Sequence, residues 1–550
     1  MQLIDTAKVI IPYVLFIGIG CVLFPSSGRD DAYITYWTAY SLANFGEIVN
    51  YNGERVEQGS SLLHTLLLAL IYKLSQINIP TLGTLMSVFF GLVTIFLTGR
   101  LSKLLGQNKN LSQLIVATSV PLLYWSFGGL EASLVSVAIL WLVITTIQFS
   151  AHQSTKNYLA SIIAVTVYLL LRPEAFFITL CFLSIIIIVL YFRKQIFHPY
   201  LNIVFSVIIL FTIITLVRYS YFGSFFPQPV EAKVGMSIIG KLQLGMIYYQ
   251  KSVIQYPVLV LLFIPLLIVS FNPKQYFKNQ RVLIVISLIY SYALFIFMVG
   301  GDWMEGARFF VPMVSPLIAI AIYVYHNMMK EIIIMFCGVV FNSLSLTYFA
   351  LNFSTGYPIF YHAERAKNLP ETKQFLLVET ANSVHYRDIP LVINLENILE
   401  KMIAQNIYPT ILSAQAGMVP FYVFQKYYKN VKFIDLRALT TKHFAECPVT
   451  NILPRVASGI STSYDFFFRN IEIIEKNCGI KKPDVIYEID PTKIKLESIK
   501  PHGYTIVYLQ TENLNYRSSF KGTWVRGVQF IAVNNEVANQ INLKNITYEF

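Results

Sequence analysis

The chain has 550 residues, of which 55% are hydrophobic, 15% aromatic and only 13% charged, with a mean hydropathy of +0.56. Soluble globular proteins carry about a quarter charged residues, so this composition excludes a soluble enzyme and marks a polytopic membrane protein. The formal net charge of +12 would suggest nucleic acid in a soluble chain; in a membrane protein it is the Lys and Arg excess of cytoplasmic loops, and no nucleic-acid partner is expected.

Apolar runs long enough to span a bilayer occur at about 8–24, 82–100, 111–127, 131–150, 157–171, 175–192, 201–219, 256–271, 282–299, 309–326 and 331–350. The first has no small-residue cleavage site and reads as an anchor. A further run, Ser61 to Leu74, decides the topology. Counted as a span, it puts Arg100, Lys103 and Lys109 opposite Arg193, Lys194, Lys274, Lys278 and Arg281. Counted as an interfacial helix over 61–75, it gathers all of them on one side, as the positive-inside rule prefers. Lys73 and His64 interrupt this run, which suits a helix lying at the interface.

The expected fold is therefore a mainly α membrane protein. Residues 1–350 form a bundle of about 11 transmembrane helices with the N-terminus in the cytoplasm. Loops 25–81, 128–130, 172–174, 218–255 and 300–308 lie outside, with a soluble extracytoplasmic domain over 351–550. Asp30, Asp31, Glu57, Glu131, Arg172, Glu174, Lys233, Asp302 and Arg308 then share the outer side. Ionisable groups at membrane depth are costly unless they line a polar site, so their convergence predicts one outward-facing cavity.

Taken in order, Arg29-Asp30-Asp31-Ala32-Tyr33 follows the first span. Its two carboxylates either open a helix, where Asp favours the N-terminal turn, or supply a base for an acceptor hydroxyl and a neighbour that holds a sugar or metal. Gly128-Gly129-Leu130-Glu131 joins two spans through a tight turn; Glu131 either complements a helix dipole or belongs to a site. Arg172-Pro173-Glu174 repeats the arrangement, with Arg172 snorkelling, paired with Glu174, or holding a phosphate or carboxylate. Lys233, in the aromatic-rich loop opened by Tyr221, is either solvated or a point charge for a lipid phosphate. Asp302-Trp303, followed by Arg308, has the ring-plus-carboxylate pattern that holds sugars; Trp303 also fits an aromatic interface belt.

After Leu351, β-rich runs at Leu391–Asn394, Val431–Ile434, Val485–Tyr487, Thr505–Tyr508 and Val528–Val533 alternate with helical stretches such as Leu395–Gln405, suggesting an α/β or α+β unit. Gln415 to Tyr422 reads as a loop opening onto a short helix. Cys447 and Cys478 are the cysteines of this tail; an oxidising compartment would allow their disulfide, but spacing does not set its geometry. No Walker loop and no GxGxxG after a strand appears, which argues against a nucleotide site.

Together, Asp30-Asp31-Ala32-Tyr33, Gly53-Glu54-Arg55-Val56-Glu57, Gly129-Leu130-Glu131, Arg172-Pro173-Glu174, Pro227 with Lys233, and Gly301-Asp302-Trp303 with Arg308-Phe309 resemble the membrane-embedded GT-C glycosyltransferases. The resemblance is strongest to the terminal arabinofuranosyltransferases of the mycobacterial type and their pilin-arabinosylating relatives. Gln415-Ala416-Gly417 with Phe433-Ile434-Asp435-Leu436 is similar to that family's outer domain.

The resemblance implies a polyprenyl-phosphate-linked donor, commonly decaprenyl-phospho-arabinofuranose. Transfer would go to a glycan or pilin-like protein acceptor outside the inner membrane, on the periplasmic face of the cell envelope. It implies Asp30 as the base and Asp31 as its supporting neighbour, with Lys233, Arg172 and Arg308 near the donor phosphate. Glu57, Glu131, Glu174, Asp302, Trp303, Tyr33 and His64 would face donor or acceptor sugar. No cofactor is fixed, and a divalent cation is left open. Where the family continues Gly-Tyr-Thr-Ser/Asn-Pro-Leu-Trp, this chain has Gln58-Gly59-Ser60-Ser61-Leu62-Leu63-His64, which points to a different acceptor. A transporter or flippase would instead show internal repeats and broken helices at the midplane, and a non-catalytic glycan-binding assembly protein would tolerate loss of both aspartates.

Overall fold

The computed structural model describes residues 2–24, 30–233, 237–302, 304, 306–326, 330–353, 389–441, 455–456, 459–460, 464–490, 499–517 and 524–544. Its first part is helical: α1 (Gln2–Leu23), α2 (Asp30–Phe45), α3 (Leu62–Ser75), α4 (Ile79–Leu104), α5 (Lys109–Ala117), α6 (Val120–Ser126), α7 (Ala132–Ala151), α8 (Thr155–Leu171), α9 (Ala175–Phe192), α10 (His198–Phe222), α11 (Gln228–Lys233), α12 (Ile238–Gln255), α13 (Val258–Phe271), α14 (Pro273–Tyr276), α15 (Gln280–Val299), α16 (Val311–His326) and α17 (Glu331–Phe353). By length and composition, α4, α7, α9, α10, α15 and the segment Arg308–His326 are long and apolar enough to cross a membrane. Shorter apolar helices occur at Val9–Leu23, Leu62–Ser75, Thr155–Leu171, Val258–Phe271 and Ile333–Thr347.

Every expected span is helical except 111–127, which breaks into α5 and α6. The cause is local. Pro121 has no N–H to continue the helix and disfavours helical backbone just before it. Asn342 of α17 donates to the freed Ile115 carbonyl at 2.9 Å and to Thr118 Oγ1 at 2.8 Å, so the break carries no lost hydrogen bond there. The expected outer loop 25–81 is also more structured than a loop. It contains α2, whose residues Ala32 to Ala39 are all buried. The long connection after α10 likewise folds into α11 and α12.

The two ends of the bundle differ in charge. Arg281 Nη1 donates to the Leu104 carbonyl at 2.7 Å, and Arg193 donates to the Phe277 carbonyl, so the basic segments meet at one end. The 20 residues of α15 rise at 1.5 Å each, so Gly300 lies about 30 Å away, at the acidic end.

Beyond α17, a five-stranded sheet has the order β2-β1-β5-β7-β6, with β1 (Thr410–Ser413), β2 (Lys432–Asp435), β5 (Val485–Asp490), β6 (Tyr504–Arg517) and β7 (Trp524–Asn534). A separate pair joins β3 (Arg455–Val456) and β4 (Gly459–Ile460). β1 runs parallel to β2 and β5, while β7 is antiparallel to β5 and β6. Leu391–Asn394, expected as a strand, instead lies within the helix Ile389–Ala404; a four-residue apolar run has too few positions to reveal its period. The carboxyl ends of β1 and β2 face the first part of the chain. Tyr51 donates to Ala416 O at 2.9 Å. Asn52 exchanges two hydrogen bonds with the Phe433 backbone at 2.7 and 2.8 Å. Cys478 is disulfide-bonded, whereas Cys447 lies outside the described residues.

Candidate functional site

Asp30 and Asp31 open α2 and diverge, because successive helical residues point about 100° apart. Asp30 Oδ1 accepts the Met418 N–H at 2.8 Å, completing the N-terminus of the helix Met418–Tyr427. A carboxylate there also complements the helix dipole. A side chain at Gly417 would collide with the Asp30 carbonyl and carboxylate, so only glycine permits this approach.

Asp31 turns the other way, into electrostatic contact with Arg308, Lys233, Asp302 and Glu131. Burial pushes its carboxyl above the usual range, and Arg308 and Lys233 oppose that rise. Lys233, the last residue of α11, is held below its ordinary value by burial and by Arg308, against Asp302 and Asp31. Neither side chain makes a hydrogen bond or close ion pair among the described residues. Both keep partial solvent access, as groups lining a recess do.

Arg308 and Asp302 come from the turn between α15 and α16. Arg308 Nε lies 2.7 Å from Asp302 Oδ2, but the N–H does not point along that line, so the pair is an electrostatic contact without an aligned hydrogen bond. The guanidinium also lies over the rings of Trp125 at 5.7 Å and Phe309 at 5.6 Å. Trp303 lies outside the described residues.

The third wall is Arg172. Its Nη1 donates to Glu131 at 2.6 Å and to Ser60 Oγ at 3.1 Å, and its Nε donates to Glu174 at 2.7 Å. Burial acts against the Arg172 charge, but Glu174 and Glu131 raise its pKa above the ordinary value. Burial alone would raise Glu131, yet Arg172, His64 and Arg308 bring it below its usual range. Glu131 is positioned by the Gly128-Gly129 turn. Gly129 has φ +73°, and its carbonyl accepts the Tyr36 hydroxyl at 2.9 Å, with no room there for a side chain.

The remaining candidates separate. Glu57 is buried in a bidentate ion pair with Arg218 of α10, and burial raises its carboxyl against that partner. Its carbonyl accepts Gln228 N at 3.0 Å, so Glu57 supports α11 rather than joining the charge cluster. Tyr33 packs its ring 5.2 Å from Tyr36 and 5.4 Å from Phe421, between α2 and the helix Met418–Tyr427. His64, in α3, is 2% exposed and lies within the field of Glu131; burial depresses its pKa.

Several contributors escaped the sequence reading. Arg218 lies inside an apolar run, which was itself the available signal. Tyr292 neighbours Glu174, Arg172, Arg308 and Glu131. Tyr248 accepts the Phe309 N–H at 3.1 Å. A tyrosine in a span, or in an aromatic-rich loop, has no pattern that separates lining from packing. Among the described residues, no group of three or more His, Cys, Asp or Glu side chains is placed to hold a metal ion.

No family model matches this chain, and no curated protein matches it. Among solved structures it is similar to ArnT from Cupriavidus metallidurans in the apo state, at 13% identity and TM-score 0.50, over 97% of this chain and 98% of that one. It is also similar to the archaeal oligosaccharyltransferase AglB from Archaeoglobus fulgidus in complex with an inhibitory peptide and a dolichol-phosphate. There the identity is 11% and the TM-score 0.52, over 95% of this chain and 74% of that one. The fold is of the GT-C type. At these identities the likeness carries the architecture: a helical membrane bundle followed by a smaller unit containing a sheet. In this GT-C fold, Asp31, Glu131, Arg172, Lys233, Asp302 and Arg308 all belong to one contiguous group of charges.

Proposed function

We propose that this chain is an integral-membrane glycosyltransferase. It moves a sugar, D-arabinofuranose in this reading, from a polyprenyl-phosphate carrier to a hydroxyl of a glycan or pilin-like protein on the outer face of the cytoplasmic membrane. The supporting observation is that Asp31 and Lys233, of opposite charge and without close partners among the described residues, share one partly accessible cluster. Buried charges are normally paired; two left open beside each other suit a substrate that brings its own charge and proton. The AglB structure, of similar fold, is of a complex with a dolichol-phosphate, a carrier of the same chemical class.

Asp31 is the base. Its carboxylate takes the proton of the acceptor hydroxyl, the acceptor oxygen bonds to the sugar C1, and the C1–O bond to phosphate breaks with its electron pair going to the phosphate oxygen. Lys233 and Arg308 stabilise the charge growing on that phosphate, where fixed cations in a water-poor site act most strongly. Asp30 is a positioning residue that ties α2 to Met418. Arg172, clamped by two carboxylates, holds Glu131 and Glu174 in place and favours the charged form of Glu131. Purified protein supplied with a synthetic prenyl-phosphoryl arabinofuranose and a hydroxyl acceptor releases prenyl phosphate on this reading. Folded protein that releases none would argue against it.

A further inference from the structure

Three buried polar atoms within residues 58–64 have no hydrogen-bond partner among the described residues: Gln58 Oε1, Ser61 Oγ and His64 Nδ1. The residues are 1%, 1% and 2% exposed. Leaving one such atom unpaired is costly, and native structures keep few of them. Three in one seven-residue segment therefore require an explanation.

At Ser61 even the usual local partner is not used. Ser61 is the N-cap of α3, where serine ordinarily accepts a backbone N–H, yet it makes no side-chain cap bond. His64 follows three residues later, on the same face of the first turn. Gln58 Nε2 donates to the Ile34 carbonyl at 3.0 Å, which leaves its Oε1 as the free end. The intervening Ser60 accepts Arg172 at 3.1 Å, and His64 lies in the field of Glu131. The segment therefore adjoins the charge cluster.

The chemistry of the three atoms selects the ligand. The Gln58 oxygen only accepts. The Ser61 hydroxyl both donates and accepts. A neutral imidazole nitrogen accepts when the proton is on the other nitrogen. A phosphate offers only acceptors and suits Lys233 and Arg308 instead. Hydroxyl groups, which bring donors, match the 58–64 segment. In a prenyl-phosphoryl sugar the two kinds of group are one linkage apart, and Arg172 and Glu131 connect the two sets of residues, through Ser60 and His64 on one side and Arg308 on the other.

We propose that Gln58, Ser61 and His64 form the subsite that receives the hydroxyl groups of the transferred sugar, and so set which sugar is used. This assigns the segment to the donor sugar rather than to the acceptor, and it rests on the transferase reading above. Buried water bridging the same atoms is the competing explanation, and it predicts no selectivity.

The test uses the full-length protein in lipid nanodiscs, prenyl-phosphoryl D-arabinofuranose and its 2-, 3- and 5-deoxy forms, and measures prenyl phosphate release. The wild-type protein loses about tenfold or more in kcat/KM with at least one deoxy donor, the size of one lost hydrogen bond in a buried site. In Ser61→Ala, Gln58→Ala or His64→Phe, whichever faces the missing hydroxyl, the same deletion then costs less than about threefold, because the partner is already gone. Equal use of all four donors by the wild type overturns the inference, and that comparison needs no variant to fold. Equal deoxy losses in the wild type and in every variant overturn it too. No release from the parent donor removes the transferase reading and this inference together, whereas release without coupling removes this inference alone.

Discussion

Asp30 and Met418, 388 positions apart in the chain, are joined by a 2.8 Å hydrogen bond from the Met418 N–H to the Asp30 carboxylate. Asp31, beside it, turns instead toward Arg308 and Lys233. This pairing separates two roles that adjacent aspartates could otherwise share, and the two substitutions should differ in kind.

Asp31→Asn should abolish most transfer, by about 10²–10⁴-fold, the range for loss of a positioned base, with thermal stability unchanged or raised. Asp30→Asn should instead lower the unfolding midpoint by an amount matching about 1–3 kcal/mol and reduce turnover only partly. Prenyl phosphate release and thermal unfolding of each variant, measured side by side, separate the cases. Equal loss of turnover in both would show that the aspartates act as one unit.

The Asp31 carboxyl is raised by burial, so it takes up its proton at a higher pH than an ordinary aspartate. Base activity is lost as pH falls through that raised value. Lys233→Gln removes a charge that lowers it, and so shifts the acid limb of the rate profile to higher pH. Asp302→Asn removes a charge that raises it, and shifts the limb lower. Stability runs the other way: a raised carboxyl binds its proton more tightly when folded, so protonation of Asp31 favours the folded state. A pH–rate profile of each variant reads the two signs directly.

Lys233→Met should cut kcat by about 10²–10³-fold with a smaller change in KM, as expected for a group that matters most when charge develops on the leaving phosphate. Lys233→Arg should restore part of it. A purely structural lysine would show its loss in the unfolding midpoint instead.

Glu57 and Arg218 form a buried ion pair well suited to a double-mutant cycle. Either Glu57→Gln or Arg218→Met should cost about 3–5 kcal/mol, because each strands one buried charge. The double variant should recover much of that loss. Additive losses, read by thermal unfolding in detergent, would mean that the two residues do not interact.

Asp435, at the end of β2, accepts N–H groups from Arg437, Leu439 and Thr440, yet burial pushes its carboxyl up to about 6 from the ordinary 3.8. Its contribution to stability is therefore full below 3.8 and lost as pH rises through about 6. Acidifying from about pH 7 to pH 5 should raise the unfolding midpoint of the wild type by more than that of Asp435→Asn.

The charges were legible in the sequence because apolar spans leave few places for them. Asp31, Glu131, Arg172, Asp302 and Arg308 stand near span ends and Lys233 in an outer loop, and they do meet. What separates Asp30 from Asp31 was not legible, since it depends on the phase of α2, and Tyr33-Ile34-Thr35-Tyr36-Trp37 is buried on every side and shows no period. The split between α5 and α6 had a local signal in Pro121, but its stabilisation by Asn342, more than two hundred residues on, had none. Tyr292 reads as an ordinary span residue, and Tyr248 as one aromatic of an outer loop, because only tertiary packing sets what a hydroxyl faces.

The gathering of Arg193, Arg281 and Lys103 at one end of the bundle also fixes how the protein can be threaded during synthesis. Each such cation dragged through hydrocarbon costs about 2.5–3.5 kcal/mol on insertion scales. An inverted copy would have to carry the whole basic end across, which favours one direction of insertion over the other.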